Sequence, residues 1–455
     1  MPDYDLIVRN GTVVTDWEAI VADIAIADGV FVAIGPGLEG TARQEIVLPV
    51  GSVVLPGLID PHVHFNAPGR EAWEGWQTGS AALAAGGATA CFDMPLNAHP
   101  PTLDAASFDQ KRRRAEASSC VDFALWGGLT PGNLDHMSAL ADRGVVGFKA
   151  FMASAGTDDF PRADDLTLLR GMRIAADLDL PVAVHAENET LTRELAAEAR
   201  RQGGTGWRDV LESRPVVAEI EAIGRAIAFA EETGCRLHIA HVSTGRGVAL
   251  VASARERGVD VTCETCPHYL VLTDEDAERI GALAKCAPPL RDAATRDDLW
   301  SALLAGEVDM VASDHSPASP DMRAGDDAFA TWGGISGCQH ALPAMLTEGD
   351  RHGLPMSRIA ALIATNAAQR FRLPQKGRIA VGFDADLSWT MRVDAWNPIP
   401  LAGIRYRHPA SAWDGVPMGY RVLGTIRRGE VIFRDGAVTR EAGGRLLRPG
   451  APRGL

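Results

Sequence analysis

Apolar and polar residues follow two different rhythms along this chain. Over Tyr4–Thr15 and Ala22–Gly35 they alternate one by one, around Asn10-Gly11 in the first stretch and Asp28-Gly29 in the second. Alternation with a period of two marks half-buried strands, and Asn-Gly or Asp-Gly between alternating runs predicts a hairpin turn. The same texture returns over Gly419–Thr439, with turns expected at Arg428-Gly429 and Asp435-Gly436. Two β-rich regions around a different middle predict one small β-sandwich domain assembled from residues 1–54 and 377–455.

The middle, residues 55–376, alternates short apolar runs with longer helical patterns. Eight candidate strands end near His64, Met94, Leu129, Met152, Asn188, Ser243, Leu270 and Pro317. Amphipathic stretches such as Glu71–Ala85, Ala163–Leu178, Pro215–Glu232 and Arg291–Leu304 lie between them. Val145–Met152, Val182–His185 and Leu237–Val242 are apolar almost throughout, as in parallel strands covered by helices. Eight such units predict an α/β fold, a TIM-type (β/α)8 barrel. A doubly wound open sheet shares the local pattern but has no reason to stop at eight strands. The Pro- and Gly-rich tail from Gly443 is expected to lie on the surface.

Composition narrows the function. With 46% hydrophobic and 23% charged residues in 455, the chain can bury a large core. A net charge of −15 excludes nucleic acid and anionic membrane as main partners, since both need a basic surface. Seven cysteines, an odd number scattered along the chain, fit free thiols in a reducing compartment. The opening MPDYDLIVRN, with two acids and no apolar run, is not expected to act as a signal peptide, and no apolar run approaches membrane length. A cytoplasmic enzyme acting on a small molecule is the expectation.

Candidate chemistry begins at Asp60-Pro61-His62-Val63-His64, directly after the apolar run Val53–Ile59. Residues two apart on a strand face the same side, so both imidazoles point one way, a pairing that suits zinc or a similar ion. Alone, the pair fits two chance surface histidines equally well. Further ligand types stand at other strand ends: His185, His241 and Asp314. His238 lies three residues before His241 and by strand parity faces away, so His241, nearer the C-terminal rim where barrel active sites sit, is the expected ligand and His238 a structural histidine. The same parity separates Asp314 from His315. Lys149, inside Gly147-Phe148-Lys149-Ala150-Phe151, is an ammonium in an apolar strand. Either it is salt-bridged across the barrel, or, near two metal ions, its neutral amine becomes a carbamate.

Taken together, Leu55-Pro56-Gly57-Leu58-Ile59-Asp60-Pro61-His62-Val63-His64, the lysine strand, the two later histidines and Ser313-Asp314-His315 resemble the cyclic-amide hydrolases of the amidohydrolase superfamily. The resemblance implies two divalent metal ions, most commonly zinc, with cobalt or manganese as alternatives. His62, His64, Asp314 and Lys149 would hold one ion, and Lys149, His185 and His241 the other. Lys149 would be carboxylated by carbon dioxide (N6-carboxylysine) and bridge the pair. Within that family, Trp73-Glu74-Gly75-Trp76, Phe92-Asp93-Met94-Pro95-Leu96-Asn97, Cys263-Glu264-Thr265-Cys266-Pro267-His268-Tyr269 and Trp332-Gly333-Gly334-Ile335 are most similar to the allantoinases. That implies opening of the hydantoin ring of allantoin by a metal-activated hydroxide, with Asp314 carrying the proton, and a homotetramer. Asn97, Arg70 and Ser316 are the expected polar contacts to substrate.

Related activities fit less closely. Dihydroorotases carry Arg where Asn66 stands, and hydantoinases and dihydropyrimidinases place a Tyr shortly after the carboxylated lysine, whereas tyrosines here occur only at 4, 269, 406 and 420. A scaffold without activity would be missing ligands, and none is missing. Cys263 and Cys266 have zinc-knuckle spacing without a second pair to complete it. Gly333-Gly334 lacks phosphate-loop spacing and is expected to let a loop approach the site closely.

Overall fold

The computed structural model describes residues 2–451. Eight parallel strands form the barrel: Leu58–Val63, Ala88–Asp93, Asp122–Leu125 continued by Gly127–Gly128, Phe148–Phe151, Val182–His185, Leu237–Ile239, Val261–Thr265 and Met310–Val311. The third is interrupted at Trp126, whose N–H bonds to Asp93 O at 3.1 Å and so keeps it joined to the second. A parallel bridge between Val63 and His315 closes the eighth strand onto the first.

The expected helices appear as Trp76–Ala85, Asp165–Asp177, Val216–Thr233 and Ala293–Leu304. Asp164 and Asp292 start two of them, each carboxylate accepting the backbone N–H three residues on. The first five strands end within a few residues of expectation. The later ones stop sooner, at Ile239, Thr265 and Val311, and Leu270 belongs to a short helix, Pro267–Val271, instead of a strand end. The residues beyond these early ends turn inward to form the site.

The terminal regions build a nine-stranded sheet, joined where Ser52–Pro56 runs antiparallel to Leu387–Met391. The sheet curls: Phe31 at its far edge bonds to Phe383 O at 2.9 Å and accepts from Gly382 N at 2.8 Å. Leu6, Ile24, Phe31, Leu387, Trp389 and Ile426 fill the core this encloses. Asp28-Gly29, Arg428-Gly429 and Asp435-Gly436 are hairpin turns with positive φ at both residues. Asn10-Gly11 is not. Tyr4–Val14 is one strand with a bulge there, because Asn10 N bonds to Asp23 Oδ1 at 3.1 Å, and Val54 packs within 2.5 Å of where a Gly11 Cβ would sit.

The tail from Gly443 also differs from expectation. Instead of lying free on the surface, it is bonded along the third barrel strand, with Phe123 N donating to Arg445 O at 2.9 Å and Leu447 N to Phe123 O at 2.7 Å. Near the barrel's base, Lys376 Nζ reaches Asp122, Asp386 and Asp384 at 2.7, 2.7 and 2.8 Å. Asp122 begins the third barrel strand and Asp386 precedes Leu387, so this buried cluster fastens barrel to sheet. All seven cysteines are buried and unpaired. Among the described residues, no helix is long and apolar enough to cross a membrane.

Candidate metal centre and substrate cavity

At the C-terminal rim the first strand delivers two imidazoles to one side. His62 Nε2 and His64 Nε2 lie 3.3 and 3.4 Å from Asp314 Oδ1, and ligand atoms of the three lie within 4.8 Å of one another. Asp314 reaches this position through a left-handed backbone (φ 44°), and His241 has the same device (φ 39°). Such strain in non-glycine residues is held in place by the surrounding structure and clusters at functional sites. It also explains why plain strand parity is too simple beyond Ile239. His238 shares Glu264 with His62, inside the barrel, while His241 faces His185, with His185 Nδ1 3.2 Å from His241 Nε2. His238 is thus a satisfied structural histidine, bonded also to Thr262 Oγ1 at 2.9 Å. His315 turns away from Asp314 toward Glu74 and accepts from Gly337 N.

Burial lowers the pKa of His62, His185 and His241, keeping the imidazoles neutral as metal ligation requires. Burial alone would push the Asp314 carboxyl up, but His62 and His64 outweigh it and hold it well below the usual range. Lys149 is fully buried, and its Nζ has no hydrogen-bond partner among the described residues. Burial pulls its pKa down to about 8, against the opposing pull of Glu264 and Asp314. The salt-bridge alternative therefore has no geometric support. A buried amine without a partner, near His62, His185, His241 and Asp314, fits a lysine that carries an added anionic group. His241 Nδ1 is likewise buried without a partner.

Two carboxylates behind the histidines were not singled out by sequence. Glu264 Oε1 sits 2.5 Å from His62 Nδ1, and Glu187 Oε2 sits 2.7 Å from His185 Nε2. Each fixes its histidine's tautomer and ring orientation. The available signal was an acid in or just past an apolar strand, two residues from a polar partner on the same face: Thr262 for Glu264, and His185 for Glu187.

Above these groups opens a cavity of about 380 Å³, within the range for small-molecule sites. Asn97 and Ser316 line it, and Asn97 Nδ2 approaches His64 Nδ1 at 3.4 Å. Arg70 does not line it. Its guanidinium is committed to Asp159 at 2.9 Å and to Asn97 O at 3.2 Å, so it braces the loop that carries Asn97. Trp332 covers one side, edge-on to Trp73 with ring centres 5.1 Å apart. Gly334 lets that loop close in as expected: a Cβ there would stand 2.2 Å from Ser316 O.

Comparison with known proteins places this arrangement. The sequence profile of the amidohydrolase family matches residues 53–432. A protein named allantoinase from Rubrobacter xylanophilus is 57% identical over 455 residues, covering all of both chains. Another allantoinase, from Solibacter usitatus, is 52% identical over 98% of this chain and 97% of its own. Among solved structures, the L-hydantoinase (dihydropyrimidinase) of Arthrobacter aurescens superposes with a TM-score of 0.93 at 35% identity, over 98% of this chain and all of that one.

Proposed function

The chain belongs to the amidohydrolase family, and within it we infer an allantoinase: a metal-dependent hydrolase that opens the hydantoin ring of allantoin to give allantoate. The observation that carries this reading is full-length similarity to allantoinases in a chain whose His62, His64, His185, His241 and Asp314 line one cavity. We propose that His62, His64 and Asp314 hold one divalent ion and His185 and His241 a second, with Lys149, carboxylated by carbon dioxide, joining both. Zinc is the expected metal. When bound, the ions supply a polarised carbonyl and a water acidified far below its ordinary pKa.

The protein's own groups do the rest. Asp314, ionised beside His62 and His64, takes the proton of the attacking water and returns it to the ring nitrogen as the C–N bond breaks. Water thus adds its oxygen to the ring carbonyl, and the products are a carboxylate and a freed N–H. Asn97 and Ser316 present polar atoms to the ring and ureido group, while Arg70 acts one layer out through the Asn97 loop. Trp332 and Phe329, on the cavity wall, exclude bulk water. The reading extends to a homotetramer, checked by sedimentation, and to the cytoplasm, which the seven unpaired cysteines and the net charge of −15 suit.

Turnover of allantoin, hydantoin, dihydrouracil and dihydroorotate by metal-reconstituted protein tests the substrate assignment. Strong preference for allantoin is expected. Preference for another ring would leave the hydrolase in place and overturn the substrate.

A further inference from the structure

The two carboxylates behind the metal positions are neutralised in different ways. Glu264 is held between His62 Nδ1 (2.5 Å) and His238 Nε2 (3.1 Å), entirely beneath the site. Glu187 accepts from His185 Nε2 at 2.7 Å, and its remaining capacity goes to Arg214: Nε donates to Oε1 at 3.1 Å, and NH2 donates to Oε2. With the proton on Nε2, the lone pair of His185 Nδ1 faces His241 Nε2, the side on which the second ion belongs.

Arg214 is itself anchored. Its carbonyl accepts from Arg291 NH1 at 2.6 Å, and Arg291 Nε bonds to Ser243 Oγ at 3.0 Å. Arg214 lines the substrate cavity, as His185 does, but its side chain is 23% exposed, against 3% for His185 and none for Glu187. Its Nε and NH2 are spent on Glu187, which leaves NH1 without a partner among the described residues. A guanidinium fixed along one edge, with its remaining corner on the cavity wall, is a donor preset for an oxygen of the bound molecule.

We propose that Arg214, Glu187 and His185 form one line of hydrogen bonds from the cavity wall to the second metal position. Glu187 is a positioning residue for that position alone, and Arg214 both supports Glu187 and donates through NH1 to a carbonyl or carboxylate oxygen in the cavity. The first metal position has no such connection to the cavity wall, because Glu264 accepts only from His62, His238 and the His241 backbone N–H (3.4 Å). This inference rests on the two-metal reading above.

The test is titration of metal-free protein with Co(II), followed by its visible absorption and by metal analysis, with steady-state kinetics on allantoin. In Glu187→Ala the second Co(II) is expected to bind about 10- to 100-fold more weakly, with the first unchanged and KM little altered. Glu187→Gln, which keeps an acceptor for His185, should recover part of the loss. Arg214→Gln should weaken the second ion less and raise KM, and Arg214→Lys should not restore KM, since the fork is lost. Variants that melt like the parent and take up both ions with parental affinity would overturn the inference. So would equal weakening of both ions. Fewer than two ions in the parent protein would instead bring down the two-metal reading itself.

Discussion

Lys149 and Lys376 are both buried lysines of one barrel protein, and they could hardly be kept more differently. Three carboxylates surround Lys376 within 2.8 Å at the junction with the terminal sheet, so although burial opposes its charge, they push its pKa above the ordinary value. Lys149, at the other end of the barrel, has no hydrogen-bond partner among the described residues and is brought down to about 8 by burial. The first is how a protein accommodates a lysine it uses to hold parts together. The second is an amine whose proton burial has loosened. Burial alone therefore does not identify a functional lysine; the missing partner does.

Replacing each lysine separates the two roles. Lys149→Ala is expected to have the largest effect, with turnover lost and metal content falling while the melting temperature stays close to the parent's. Short carboxylic acids should restore part of the activity, and a full metal complement without rescue would contradict the carbamate. Asp314→Asn should follow, with kcat lowered by about 10²–10⁴ and much of the metal retained; near-normal turnover would remove Asp314 from proton transfer. Lys376→Met leaves Asp384 and Asp386 without their paired cation and Asp122 with Arg428 alone. Urea unfolding should show a loss of about 3–5 kcal/mol, with kcat/KM unchanged wherever the protein remains folded.

The smallest effect is the pH dependence of carboxylation. Only the neutral amine reacts with carbon dioxide, and its fraction grows as pH rises through about 8. The initial rate of uptake of ¹³C-labelled carbon dioxide by metal-free protein, at fixed dissolved gas, should drop about tenfold for each pH unit below that value. A flat profile from pH 6 to 9 would mean that Lys149 is not the acceptor.

Much of this arrangement was legible in the sequence, and the gaps have physical causes. Helices such as Val216–Thr233 showed because their apolar stripe repeats over several turns. The histidine pair showed because two residues of one strand share a face. Strands six and eight read too long in the sequence, since Ala240, Val242, Ala312 and Ser313 are as apolar or small as the strands they follow and a left-handed turn at His241 or Asp314 leaves no composition signature; strand seven does so because the short helix after it, Pro267–Val271, is largely apolar. Asn10-Gly11 resembles a turn because the dipeptide suits positive φ, which Asn10 adopts in the bulge as well. Arg70 looked available for substrate because Asp159, its partner, is far away in sequence. Glu264 escaped notice because the histidine that gives it meaning, His62, lies across the barrel, and Glu187 because nothing local shows that its carboxylate is buried between His185 and Arg214.

The pairing of Ser52–Pro56 with Leu387–Met391 has a consequence for how this protein comes into being. The whole barrel separates those strands, so the sheet cannot close until nearly every barrel residue has left the ribosome. Closing so long a loop is slow, and until then each half-sheet presents an open edge to its neighbours. Once shut, the strands act as a clasp across the ends of the barrel. Barrel and terminal sheet are then expected to unfold together, in a single transition.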